Sequence, residues 1–185
     1  IGTEDGGLNR FNPKTKTFSF FTPSNAFTNV HGLCLIGDHL WVGTFSKGVK
    51  VVDTHTGAIV KTYRKTDSPR SLIDNSVFSI CRTTTGDIYL GTLFGTLFGL
   101  LRYNEQSDDF DRIPELNGRF VYDIKEDSSG NLWLATYANG AYCYNVSEKK
   151  WKNYLHDESN PKSLPYDKVV SVFEDSHRQV WLTTQ

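Results

Sequence analysis

The 185-residue sequence predicts an all-β protein built from repeated four-stranded antiparallel units, and three observations carry that prediction. The stretch Val121–Asn145 reads as strand, tight turn at 127–131, strand through Trp133, Gly-closed turn at Asn139-Gly140, and strand again. An aromatic in the second strand recurs at Trp41, Tyr89, Trp133 and Trp181, spaced 48, 44 and 48 residues apart. Behind each aromatic stands a pair of small residues: Gly43-Thr44, Gly91-Thr92, Ala135-Thr136 and Thr183-Thr184. No amphipathic helical period interrupts the pattern.

The repeats fall at about 1–29, 30–76, 77–120 and 121–168, with a partial unit at 169–185. Each opens on an apolar strand: Val30–Ile36, Val77–Cys81, Val121–Ile124 and Val169–Phe173. The second strand holds the aromatic and follows a turn such as 84–87 or 128–131. A third follows a glycine, at Gly7–Phe11, Gly48–Val52, Gly99–Tyr103 and Gly140–Tyr144. The fourth is short and mostly aromatic: Phe18–Phe21, Ile59–Tyr63, Phe110–Ile113 and Trp151–Tyr154. In the first strands apolar residues occupy both parities, which implies burial on both faces. Four strands per unit at a period near 44 residues, buried on both faces, describe a β-propeller of about four four-stranded blades. Trp41, Tyr89, Trp133 and Trp181 then wedge between blades, and the small pairs let backbones approach. Residues 169–185 supply first and second strands and residues 1–22 third and fourth strands, so a four-bladed ring is arithmetically possible.

Composition bounds the rest. One domain with a real core is expected at this length. Aromatics make up 14% of the chain, and 15 Gly with 6 Pro suit a turn-dense fold. A net charge of −1 gives no basis for nucleic acid as partner. No run is apolar enough for a membrane helix. The chain starts on Ile1, contains no Met and begins and ends within a repeat, so an excerpt of a longer protein is expected. Cys34, Cys81 and Cys143 lie in apolar strands with no metal-ligand spacing and read as small buried hydrophobes.

The details of the repeat select among propeller families. The Gly-His and Trp-Asp dipeptides of WD40 repeats do not recur, nor does the Gly-Gly signature of kelch repeats. The turn Asp127–Trp133 comes near an Asp-box, but Leu132 stands where that motif has Thr. Val121–Thr136, Asn75–Ile80 and Gly2–Leu8 instead resemble the two-component regulator propeller repeat, as do the lead-ins Asn160–Leu164 and Asp67–Leu72. Three departures are modest: one residue fewer before Trp41, Ala135 in place of Gly, and Arg178 in place of the turn Gly. The resemblance implies an open arc of a seven-bladed ring within the periplasmic sensor of a membrane-bound hybrid histidine kinase. It further implies recognition of an oligosaccharide and signalling through a homodimer of the parent. The kinase and receiver chemistry of such a parent is not expected in these residues.

No catalytic residue, metal site or cofactor is expected. His31, His39, His55, His156 and His177 lack ligand spacing, and no P-loop or Gly-x-Ser-x-Gly motif occurs. The acidic pairs Glu126-Asp127 and Glu174-Asp175 recur at a turn, where an Asp accepts bonds from the turn's own amides. Asp108, Asp109 and Asp111 read as a solvated hairpin tip rather than a calcium site.

Topology gives the candidate surface. Loops from strand two to three and from strand four to the next blade emerge on one face, and they read as the variable parts of a regular scaffold. Phe45, Phe94, Phe98 and Tyr137 would offer flat apolar faces to sugar C–H groups, and Lys47, Arg119 and Asn139 hydrogen bonds. Two rival readings stay open: a scaffold whose loops contact other domains, and a propeller lyase or glycosidase.

Overall fold

The computed structural model describes residues 1–4, 6–20, 27, 29–93 and 99–185. Five antiparallel sheets follow one another along the chain, every strand pairing with its sequence neighbour. The first sheet is β1 (Gly2–Thr3), β2 (Gly7–Asn12) and β3 (Thr17–Phe20). The second is β4 (Val30–Ile36), β5 (His39–Thr44), β6 (Val49–Asp53) and β7 (Ile59–Tyr63). The third is β8 (Val77–Arg82), β9 (Ile88–Thr92), β10 (Leu100–Asn104) and β11 (Asp109–Ile113). The fourth is β12 (Val121–Glu126), β13 (Leu132–Thr136), β14 (Ala141–Asn145) and β15 (Lys150–Tyr154). The last holds β16 (Val169–Glu174) and β17 (Val180–Thr184). A single 3-10 turn, Pro114–Leu116, is the one helical element among the described residues.

The core lies between sheets, so the inner sheets are packed on both faces. Leu8 and Phe27 meet Val30, Val42 and Val52. Val49, Val51 and Tyr63 meet Val77, Ile80, Leu90, Leu101 and Phe110. Leu100 and Leu116 meet Val121, Ile124, Leu132, Leu134 and Tyr142. Ala135 and Ala141 meet Val169 and Val172. The strand-two aromatic faces the following sheet as expected. Trp41 is buried, stacked on Tyr63 at 5.3 Å and edge-on to Tyr103 of the next sheet at 5.0 Å. Trp181 has the same place in the fifth sheet but is 57% exposed. At the other end Phe18 and Phe20 are exposed too. The sheets therefore form an open arc of blades rather than a closed ring, as the resemblance implies.

The small pair behind the aromatic serves two functions. A Cβ on Gly43 would lie 2.6 Å from the Val77 carbonyl oxygen, and one on Gly91 2.8 Å from that of Val121. Glycine is thus required where the next blade's first strand crosses closely. The threonine is a clip: the hydroxyls of Thr3, Thr44, Thr92 and Thr136 donate to the carbonyls of Gly7, Gly48, Gly99 and Gly140 at 2.7–3.1 Å. That clip closes the loop between second and third strands from inside.

The turns between first and second strands are held by carboxylates. Asp127 accepts from the amides of Ser129 and Asn131, and from Trp133 Nε1 at 2.9 Å. Asp175 repeats this with His177, Gln179 and Trp181 Nε1. These bonds hold both carboxyls below the usual range, against the opposing effect of burial, which is the largest influence at Asp127. The aspartates of the acidic pairs are consumed by folding.

The tip at Asp108, Asp109 and Asp111 carries ion pairs that its sequence does not announce. It is exposed but pinned to the preceding blade: Asp108 pairs with Lys61 and accepts from the hydroxyls of Tyr63 at 2.6 Å and Tyr103 at 2.8 Å. Arg70 reaches Asp109 at 2.7 Å and Asp111 at 3.0 Å. These partly exposed carboxylates also bind cationic side chains across a blade boundary. Cys34 and Cys81 are half-buried and Cys143 is buried; all three are free thiols pushed up by burial, Cys81 and Cys143 to about 11.

Candidate functional site: an aromatic mouth on the loop face

Each innermost strand carries the same irregularity one residue in. Pairing with the second strand shifts register between Val30 and Gly32, Val77 and Ser79, Val121 and Asp123, and Val169 and Ser171. The extra residues are His31, Phe78, Tyr122 and Val170. A bulge bends its strand and re-aims one side chain. Here it produces a row across consecutive blades. His31 stacks on Phe78 with centroids 4.0 Å apart, and Phe78 stands edge-on to Tyr122 at 6.0 Å.

Loop residues meet the row from outside. Phe45 lies 6.5 Å from His31 and 6.3 Å from Phe78, centroid to centroid. Tyr137 lies 6.1 Å from Tyr122 and 6.0 Å from Phe120. Leu93, Phe120, Tyr122 and Tyr137 enclose an open apolar cavity of about 370 Å³. Burial lowers the affinity of His31 for its proton, partly offset by Glu4, and raises the Tyr122 hydroxyl.

The backbone beneath is fixed. The amides of Phe45, Leu93, Tyr137 and Gln185 donate to the carbonyls of Asn29, Ser76, Phe120 and Lys168 at 3.0–3.2 Å. The amides of Gly48 and Gly140 reach Asn75 and Asp167 at 2.9 and 2.7 Å. The two loop sets are therefore tied to each other on one face, blade after blade.

Of the seven residues singled out by sequence, Tyr137 lines the cavity and Phe45 joins the aromatic row. Phe94 and Phe98 lie outside the described residues. Arg119 donates instead to the Tyr142 hydroxyl at 3.2 Å. The Lys47 amide donates to Thr44 Oγ1, and Asn139 is half-buried in the 137–139 tip beside Gly140. Sequence reasoning missed His31, Phe78, Phe120 and Tyr122. The bulge that aims three of them is a property of two paired strands. Its trace in the sequence was an aromatic or His directly after the opening Val of three repeats.

One expectation about loops is corrected. Residues 65–75 and 156–167 are two copies of one framework loop rather than variable binding loops. The amide of Lys65 donates to Asn75 Oδ1, and that of His156 to Asp167 Oδ1, at 2.8 and 2.7 Å. Ser71 and Ser163 accept from Thr66 and Asp157 at 3.0 and 2.9 Å. Leu72 and Ile73 are buried at the base of the first copy.

Residues 115–138 match the family model described as two component regulator propeller. The whole chain is 28% identical to "Histidine kinase P4" of Formosa agariphila and spans 11% of that relative's length. Among solved structures it resembles an extracellular domain assigned to a hybrid two-component system of B. thetaiotaomicron, at 21% identity and a TM-score of 0.58. That match covers all of this chain and 30% of the other. PorZ of Porphyromonas gingivalis aligns at 14% identity and a TM-score of 0.71, over 99% of this chain and 28% of PorZ. A streptogramin B lyase aligns at 16% identity and a TM-score of 0.62, over 88% of this chain and 50% of the lyase. At such identities the structures share the propeller fold alone. Repeat pattern and family match meet at residues 115–138, which match the two-component regulator propeller repeat, while the whole chain is similar to a histidine kinase and shares the propeller fold of extracellular domains assigned to hybrid two-component systems.

Proposed function

We propose that this chain is part of an extracytoplasmic sensor propeller of a hybrid histidine kinase, and that its loop-face mouth binds a glycan-derived ligand. The observation that carries the reading is the row His31–Phe78–Tyr122, flanked by Phe45 and Tyr137, over an apolar cavity. One face of a pyranose ring is largely C–H, and aromatic faces at a concave mouth suit it. Tyr137, 41% exposed, presents both a ring and a hydroxyl there. The parent would sit in the inner membrane with this segment in the periplasm, signalling as a homodimer. No reaction is proposed for the segment, because Asp127, Asp175, Glu126 and Glu174 are engaged in turns and between blades.

A second reading has an observation of its own. Trp181 and Phe173 at one end of the arc, and Phe18 and Phe20 at the other, are exposed aromatics suited to contacts with further blades or domains. On that reading the segment is scaffold and ligand binds elsewhere. Isothermal titration of the full sensor with an oligosaccharide panel separates the two. A Phe45→Ala/Tyr137→Ala double variant is expected to lose at least tenfold in affinity while keeping its circular dichroism spectrum. Unchanged affinity would overturn the loop-face proposal.

A further inference from the structure

The residue before each blade's first strand has a fixed backbone and a side chain that differs from blade to blade. At Asn29, Ser76, Phe120 and Lys168 the carbonyl accepts the same loop amide, yet the four side chains differ in size, polarity and charge. The Ser76 hydroxyl donates to the Phe45 carbonyl oxygen, whereas the larger side chains at 120 and 168 reach the mouth. Phe120 is already a wall of the cavity. Lys168 is the next in the series, and its Nζ lies 5.0 Å from the centroid of Tyr137, a second wall.

Lys168 has no carboxylate partner among the described residues, whose ion pairs join Lys61 to Asp108, Arg70 to Asp109 and Asp111, Arg102 to Asp87, and Lys125 to Asp123. The adjacent Asp167 faces the other way, its Oδ1 accepting from the His156 amide at 2.7 Å. The mouth thus combines an apolar aromatic lining with an ammonium at its rim that no described carboxylate neutralises. A neutral sugar would use the rings and leave the charge idle.

Resting on the reading that this mouth binds a saccharide, we propose that its ligand is an acidic sugar, bearing a carboxylate or sulfate. The sugar lies in the cavity against Leu93, Phe120, Tyr122 and Tyr137, and Lys168 pairs with the anionic group. Phe120 sets the shape of the guest and Lys168 its charge.

Titration calorimetry of the full sensor tests this with two matched pairs: tetragalacturonate with its carboxyl-reduced form, and a sulfated galactan tetramer with its desulfated form. At least one acidic member is expected to bind tenfold or more tighter than its neutral partner, with affinity falling as salt rises. Lys168→Met is expected to erase that preference and Tyr137→Ala to weaken both members of the pair. Which pair responds identifies the anion. Equal binding within both pairs, binding of neutral sugars alone, or a preference that survives Lys168→Met would overturn the acidic-ligand inference. If Tyr137→Ala still weakened binding, the loop-face reading would stand without it. Binding of no saccharide, or binding indifferent to Tyr137→Ala, would overturn both.

Discussion

Glu174 of the fifth blade grips Ser128 of the fourth with both carboxylate oxygens: Oε2 accepts from the Ser128 amide at 2.7 Å and Oε1 from its hydroxyl at 2.8 Å. Glu126 holds Thr84 of the third blade in the same way, at 2.6 and 2.9 Å. The acidic pair at the end of an innermost strand thus divides its work. The aspartate shapes its own turn, and the glutamate clamps the turn of the blade before. Net hydrogen bonds to charged groups contribute about 1.5–3 kcal/mol, less where water competes. Glu126→Gln places an amide nitrogen against a donor and is expected to cost about 1 kcal/mol in urea unfolding of the sensor. No change in midpoint would mean the clamp is satisfied equally well by water.

Gly91→Ala tests the close approach between blades. Its Cβ would sit 2.8 Å from both Cγ1 and the carbonyl oxygen of Val121, and a backbone carbonyl cannot swing aside. Overpacking of this kind costs roughly 1–3 kcal/mol, and thermal unfolding is expected to show it. Ala135 holds the matching position in the fourth blade and is packed with Val169. Ala135→Gly is therefore expected to be mild, at about 1 kcal/mol or less.

The Asp108 anchor makes stability depend on pH below the physiological range. Its carboxyl is held down to about 2, first by Lys61 and then by the Tyr63 hydroxyl. An unfolded aspartate titrates near about 3.9. The stabilisation is therefore complete above about 4 and is lost as pH falls through the folded value. Both partners of the pair are 43% exposed, so the effect is small, a shift of a few degrees at most. Asp108 has φ 55°, a conformation asparagine shares, so Asp108→Asn is a fair control. Melting temperature is expected to drop more steeply between pH 4 and pH 2 in the unmodified chain than in that variant.

The three thiols are expected to react slowly in the folded protein. Burial pushes Cys81 and Cys143 up to about 11 and raises Cys34, so little thiolate exists near neutral pH. Ellman's reagent at pH 8 should label none of them readily until urea is added. Fast labelling of the native chain would contradict this burial.

What could be read from the residues was whatever recurs locally. The aromatic of the second strand, the Gly-Thr step and the Asp-capped turn each act within a few residues of themselves, so Trp41, Gly43 and Asp127 declared their roles by repetition. The clamps of Glu126 and Glu174 recur too, but their partners lie 42 and 46 residues upstream, in turns whose residues differ. Asp123 shows the same limit. Its Oδ2 accepts from the Val172 amide at 3.0 Å and the Ser171 hydroxyl at 3.2 Å, and that third position is Gly32, Ser79 and Ser171 elsewhere. Apolar residues of both parities in the first strands read as burial between blades. Burial explains Val77 and Ile80, but Phe78 is aimed at the mouth by the bulge, which depends on pairing with β9. The site was half legible for that reason. Phe45 and Tyr137 follow from loop topology, whereas Phe78 and Tyr122 required the register.

Amide hydrogen exchange of the full sensor, with and without a saturating oligosaccharide identified by titration, tests the central claim most directly. The account predicts added protection at 31–33, 45–48, 78–79, 120–123, 137–140 and 168–171, on the loop face and the mouth it surrounds. Protection confined to the opposite turns at 84–87, 128–131 and 175–179, or none in this segment while the ligand is bound, would contradict it.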